Sequence, residues 1–134
     1  MADKIRQSGF IMEQQADEDL LLIEAYGDGG FRLMERRVEG GVLVLPTGFY
    51  PMDAETLADL TPAHFSKIVD EAPRPEIVLV GTGAKMQLLP AAIREHLEAA
   101  NIGYDIMDTG AAARTYNVLL MEQRRVACVL LPVD

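Results

Sequence analysis

Two short, unbroken apolar runs limit most strongly how this chain can fold. Ile77-Val78-Leu79-Val80 and the stretch from Val126 to Leu131 carry no polar position. A strand with no polar side must be buried on both faces, as strands of a parallel sheet are. Between the runs the periodicity changes. Leu89, Ile93, Leu97 and Ala100 recur at helical spacing behind Pro90, and Gly103 is a good helix stop. Tyr104 to Met107 reads as a short strand, and Asp108 or Thr109 caps a third helix running to about Gln123. Strand, helix, strand, helix, strand predicts an α/β sheet with helices packed on it and right-handed crossovers where strands run parallel.

The amino-terminal half reads differently. Leu20 to Tyr26 is strand-like, Gly27-Asp28-Gly29-Gly30 supplies a turn, and Phe31 to Glu35 continues as a second strand. After Gly40-Gly41, Val42 to Leu45 forms a third strand that Pro46 stops. Thr47 to Asp59 reads as a loop. Thr61 then caps a helix with Pro62 in its first turn, carrying Phe65, Ile68, Val69 and Ala72 and ended by Pro73 and Pro75. Residues 1–19 are polar with scattered Ile5, Phe10, Ile11 and Met12, an irregular arm with room for one short strand. No linker, repeat or low-complexity segment divides the 134 residues, so 1–134 is expected to be one domain.

Charge narrows the function. Twelve basic against twenty-one acidic residues give a net charge of −9, which argues against general nucleic-acid binding and against docking on anionic lipid. The plainer role of such a charge is solubility. Cys128 is the only cysteine, which suits a reducing compartment. The first residues lack an apolar signal core, and no run is long enough to span a bilayer. A cytoplasmic protein with no membrane insertion is expected.

Catalytic constellations are poor. Ser8 and Ser66 sit in no nucleophile elbow, and Cys128 lies inside an apolar strand, where thiols are usually inert. His64 and His96 fall on different predicted helices, and with one cysteine they supply no zinc set. No catalytic residue, metal or cofactor is assigned. Gly81-Thr82-Gly83 follows a buried strand, where phosphate loops begin, but Met86 stands where the dinucleotide fingerprint needs a small residue. The plainer reading is a tight turn. The alternative is a cleft for a small anionic metabolite at the strand carboxyl ends, lined by Gly81, Thr82, Gly83, Asp108, Thr109, Arg114, Thr115 and Asn117. Asp108 is more simply a helix cap.

The third helix is the informative element. Ala112, Tyr116, Leu119 and Leu120 form one face, Arg114, Asn117 and Met121 the other, with Ala111 and Val118 between. Arg114 is its sole charge from Gly110 to Met121, so the helix is expected to be buried on nearly every side, by the amino-terminal hairpin or by another chain. Arg114 then needs a carboxylate or carbonyl partner, with Asp108 a candidate. A second candidate surface is the Thr47–Met52 stretch, where Phe49, Tyr50 and Met52 cluster, unless it folds back onto the core. The interaction surface expected from these two regions comprises Phe49, Tyr50, Met52, Tyr116 and Met121.

Several motifs in order carry a family resemblance. They are Val80-Gly81-Thr82-Gly83, Met107-Asp108-Thr109-Gly110-Ala111-Ala112, Arg114-Thr115-Tyr116-Asn117, Glu122-Gln123-Arg124 and Leu131-Pro132-Val133. Together they resemble the small α/β domain family that includes mitochondrial complex I (NADH:ubiquinone oxidoreductase) assembly factor 3 and an adipogenesis-associated protein, from about Ile11 to Val133. The resemblance implies a three-layer fold: a central mixed five-stranded sheet, flanking helices and an extra amino-terminal β-hairpin layer. It also implies a non-enzymatic interaction domain that aids assembly of a membrane complex, with membrane-complex subunits or assembly factors as partners. Self-association stays open beside it. The chain departs from the family pattern at Met52, where Trp is frequent, and at Gln123, where Gly is frequent, and it resembles the bacterial members.

Overall fold

The computed structural model describes residues 20–134; the expected amino-terminal arm, 1–19, lies outside the described residues. Among the described residues, eight strands and three helices follow in the order β1 (Ile23–Gly27), β2 (Gly30–Leu33), β3 (Arg36–Glu39), β4 (Gly41–Leu45), β5 (Gly48–Met52), α1 (Ser66–Asp70), β6 (Ile77–Gly81), α2 (Ala91–Ala99), β7 (Gly103–Met107), α3 (Thr109–Met121) and β8 (Val126–Leu130). Two 3-10 turns, Leu57–Asp59 and Pro62–Phe65, lead into α1.

The expected mixed sheet is present. Its order is β5-β4-β8-β6-β7, with β6 parallel to β7 and β8, and β4 antiparallel to β8 and β5. The two all-apolar runs, β6 and β8, sit side by side at its centre, and every residue of β8 is buried. One face is covered by α1, α2 and the 3-10 turns through Phe65, Ile68, Leu89, Ile93 and Leu97. The other face is covered by α3 together with a separate antiparallel sheet, β1-β2-β3. That second sheet is the additional layer, but it has three strands where a two-stranded hairpin is expected.

Two strands escape the sequence reading. β3 follows a turn at Met34 and Glu35, which take φ of 50° and 61° without a glycine to mark them. β5 occupies what reads as a loop. Pro51 disguises it, and Pro is tolerated because β5 is an edge strand. The first helix is also shorter than expected. Pro62–Phe65 winds as a 3-10 turn and α1 ends at Asp70, so Ala72 lies beyond it. After α2 the left-handed residue is Asn101 (φ 60°), with the Ile102 amide bonding back to the Leu97 carbonyl at 3.0 Å, and Gly103 already belongs to β7. α3 closes in the same manner at Gln123 (φ 65°), two residues past its last helical turn. A glycine there would adopt that conformation with less strain.

Candidate functional site

The residues of the expected cleft are brought to the carboxyl ends of the central strands, yet their polar groups are committed to one another. Thr109 is fully buried. Its hydroxyl donates to the Leu131 carbonyl at 2.7 Å and accepts from the Gly83 amide at 2.8 Å. The Thr109 amide donates to the Gly83 carbonyl at 2.8 Å, and the Leu131 amide donates to the Gly81 carbonyl at 2.9 Å. Asp108 caps α3 by accepting from the Ala111 amide at 2.9 Å, as expected of it. An anion cradle needs amides that face outward with no partner; the Gly83 and Thr109 amides face inward and are satisfied.

Gly81 has a packing reason instead. A Cβ there would stand 2.8 Å from the Thr109 Cα and 2.9 Å from Leu130 Cδ2, so a side chain would push α3 off the sheet. Gly83 takes φ of 102°, where the chain leaves the sheet. Gly81, Thr82, Gly83, Asp108 and Thr109 thus form a seam that welds three segments together.

The remaining cleft residues point elsewhere. Asn117 clamps β1 with two bonds, its Oδ1 accepting from the Ile23 amide and its Nδ2 donating to the Ile23 carbonyl, both at 2.9 Å. Thr115 is half-buried on α3. Arg114 is exposed, and its Nη1 donates to the Tyr26 hydroxyl at 3.3 Å, which replaces the expected bond to Asp108. Water solvates most of that guanidinium, so no buried carboxylate is needed.

The expected interaction surface is also redistributed. The small sheet covers the flank of α3, which answers the choice between hairpin and foreign chain for most of the helix. Tyr116 is 0% exposed, so it belongs to the core and not to any surface. Its hydroxyl finds no hydrogen-bond partner among the described residues, and burial pushes the phenol pKa up. Only the stripe Arg114, Val118 and Met121 stays open to water, Met121 at 52%. Phe49, Tyr50 and Met52 do not cluster on a loop. They alternate along β5, Phe49 packing toward α3 and the small sheet, Tyr50 and Met52 toward α1 and α2. All three are half-buried, and Lys67 Nζ lies 4.8 Å from the Tyr50 ring centre.

Three features went unnoticed in the sequence. The first is the loop after β6. The hydroxyl of Thr82, itself buried, donates to the Lys85 carbonyl at 2.6 Å and accepts from the Gln87 amide at 3.0 Å. Met86 and Leu88 stand in water at 56% and 75% exposure, while Leu89 between Leu88 and Pro90 is buried. A signal existed: residues before a proline stay extended, so neighbours there point to opposite sides. The second is an open groove of about 540 Å³ whose lining includes Glu39, Glu55, Thr56, Ala84, Val133 and Asp134. The third is His64, whose Nδ1 accepts from the Thr61 amide at 3.0 Å and whose Nε2 meets Asp53 Oδ1 at 3.1 Å. This bond holds the Asp53 carboxyl below its ordinary pKa. Among the described residues no group of His, Cys, Asp and Glu is placed to hold a metal ion, and no helix is long and apolar enough to cross a membrane.

With the geometry in place, similarity to known proteins adds a lineage. The chain is 30% identical over 122 residues to the zebrafish (Danio rerio) NADH dehydrogenase [ubiquinone] 1 alpha subcomplex assembly factor 3, covering 91% of this chain and 70% of that protein. It is 36% identical over 114 residues to an uncharacterised Rhodobacter capsulatus protein, covering 84% and 86%. Among solved structures, an outer membrane protein from Bartonella henselae superimposes with a TM-score of 0.80 at 38% identity, covering 86% of this chain and 97% of that one. The expected kinship with complex I assembly factor 3 and with bacterial relatives is therefore present. Residues 23–131 match the model of DUF498/DUF598, described as proteins of unknown function, and the chain belongs to that family.

Proposed function

We propose that this chain is a non-enzymatic interaction domain that works in the cytoplasm and aids assembly of a membrane-bound, respiratory-type complex. Its partners are subunits of that complex or other assembly factors. The observation that carries the reading is the similarity, across nine-tenths of the chain, to proteins named as assembly factors of NADH dehydrogenase. The geometry supports it from a second side. The polar groups where α/β sheets usually hold small ligands are consumed in the seam, whereas large apolar side chains are left in water on loops and on α3.

The test is genetic and biochemical together. In a strain lacking the gene, native gels are expected to show less of the assembled membrane complex and more of its partial intermediates. The tagged chain, crosslinked in its own cell, is expected to carry subunits of that same complex. Normal amounts and activities of every respiratory complex in the deletion strain would overturn the reading.

A further inference from the structure

We propose that the loop from Gly83 to Pro90 anchors this docking, and that it receives a cationic segment of a protein partner carrying large apolar side chains. The inference rests on the interaction-domain reading and names the surface and the partner chemistry for it.

The loop is built to keep its apolar side chains outside. A slack loop would fold Met86 and Leu88 back onto the protein, because apolar surface leaves water wherever the chain allows. Here one buried hydroxyl, that of Thr82, holds both the Lys85 carbonyl and the Gln87 amide. Leu89, buried beneath α2, fixes the other end. Met86 and Leu88 lie two residues apart in this extended stretch and are the exposed side chains that the pinning presents. A surface that is already ordered loses little conformational entropy when it is covered.

Charge then selects the partner. Ala84, the second residue of the loop, also lines the open groove, whose walls bring three carboxylates: Glu39, Glu55 and Asp134. Arg37 pairs with Glu39 at 2.7 Å. Glu55 and Asp134 have no ion pair among the described residues. On the loop itself and beyond it the sign reverses, with Lys85 exposed and Arg94 Nε bonded to the Leu89 carbonyl at 3.2 Å. An anionic lipid surface would be repelled on the groove side, and the chain as a whole carries −9. A peptide segment can place its lysines over the groove and its apolar side chains on Met86 and Leu88 at once, which a uniform surface cannot.

The experiment uses the full chain and defined probes. Fluorescence anisotropy follows a labelled leucine–lysine peptide, its leucine–glutamate counterpart, and phosphatidylcholine vesicles containing phosphatidylglycerol. The lysine peptide is expected to bind at least about ten-fold tighter than the glutamate peptide and to weaken with salt. Met86→Ser with Leu88→Ser, and separately Glu55→Gln with Asp134→Asn, are each expected to weaken it by about ten-fold while circular dichroism melts stay unchanged. Equal binding of the two peptides, or no effect of the loop substitutions, would overturn the proposal. Vesicle binding that depends on Met86 and Leu88 would overturn it in favour of a lipid surface. A dimer that dissociates on the same substitutions would overturn it in favour of a second copy. The underlying reading fails separately. If the deletion strain loses complex assembly and the Met86→Ser, Leu88→Ser chain restores it fully, the loop is wrong and the function stands. If deletion leaves assembly intact, the function itself is wrong.

Discussion

Gly81–Gly83 and Lys85–Leu88 are neighbours in the chain, yet they treat their chemical groups in opposite ways. In the seam the Thr82, Gly83 and Thr109 amides and the Thr109 hydroxyl turn inward and are paired. A few residues later the same segment holds two large apolar side chains in water. One residue links the two behaviours: Thr82 has its amide bonded to Met107 at the sheet and its hydroxyl bonded to the loop. The contrast teaches that rigidity and stickiness come from different groups. Satisfied polar atoms fix the backbone, and the fixed backbone decides which apolar atoms stay exposed.

Substitutions can break or sharpen this contrast. The largest effect is expected from Thr109→Val, which keeps the shape but leaves the Leu131 carbonyl and the Gly83 amide without their partner. Urea unfolding should show a loss of about 2–4 kcal/mol; a loss below about 1 kcal/mol would mean that water enters the seam. Gly81→Ala should cost about 2 kcal/mol, because backbone atoms of α3 must move to admit the methyl group. Tyr116→Phe should act in the opposite direction. It removes a buried hydroxyl with no hydrogen-bond partner among the described residues, and a gain of about 1 kcal/mol in the same measurement is expected. Thr82→Val should cost about 1 kcal/mol, since water reaches the loop more readily than the seam. Its clearer signature is faster hydrogen exchange at the Gln87 amide. Leu88→Ser should change stability by less than about 0.5 kcal/mol, because the side chain supports no packing. A large loss there would place Leu88 in the core and end the contrast.

Sequence pattern alone determined the central architecture. Ile77 to Val80 and Val126 to Leu131 are apolar at every position, and only a strand covered on both faces can accept such a run. Asp108 was legible as a cap because its side chain acts on its own backbone three residues ahead. Tertiary structure decided the rest. β3 is a short, mostly charged strand and β5 a short edge strand interrupted by Pro51, and they exist only because β2 and β4 offer edges to pair with. The fate of α3 was undetermined for a related reason. Its apolar circumference demanded cover, but whether a partner or the protein's own sheet supplied it depended on where β1 returns, and Asn117 fixes that through Ile23. The Gly-Thr-Gly stretch keeps two meanings in the sequence, since local sequence names the donors and only the folded chain supplies acceptors from the end of β7 and the start of α3.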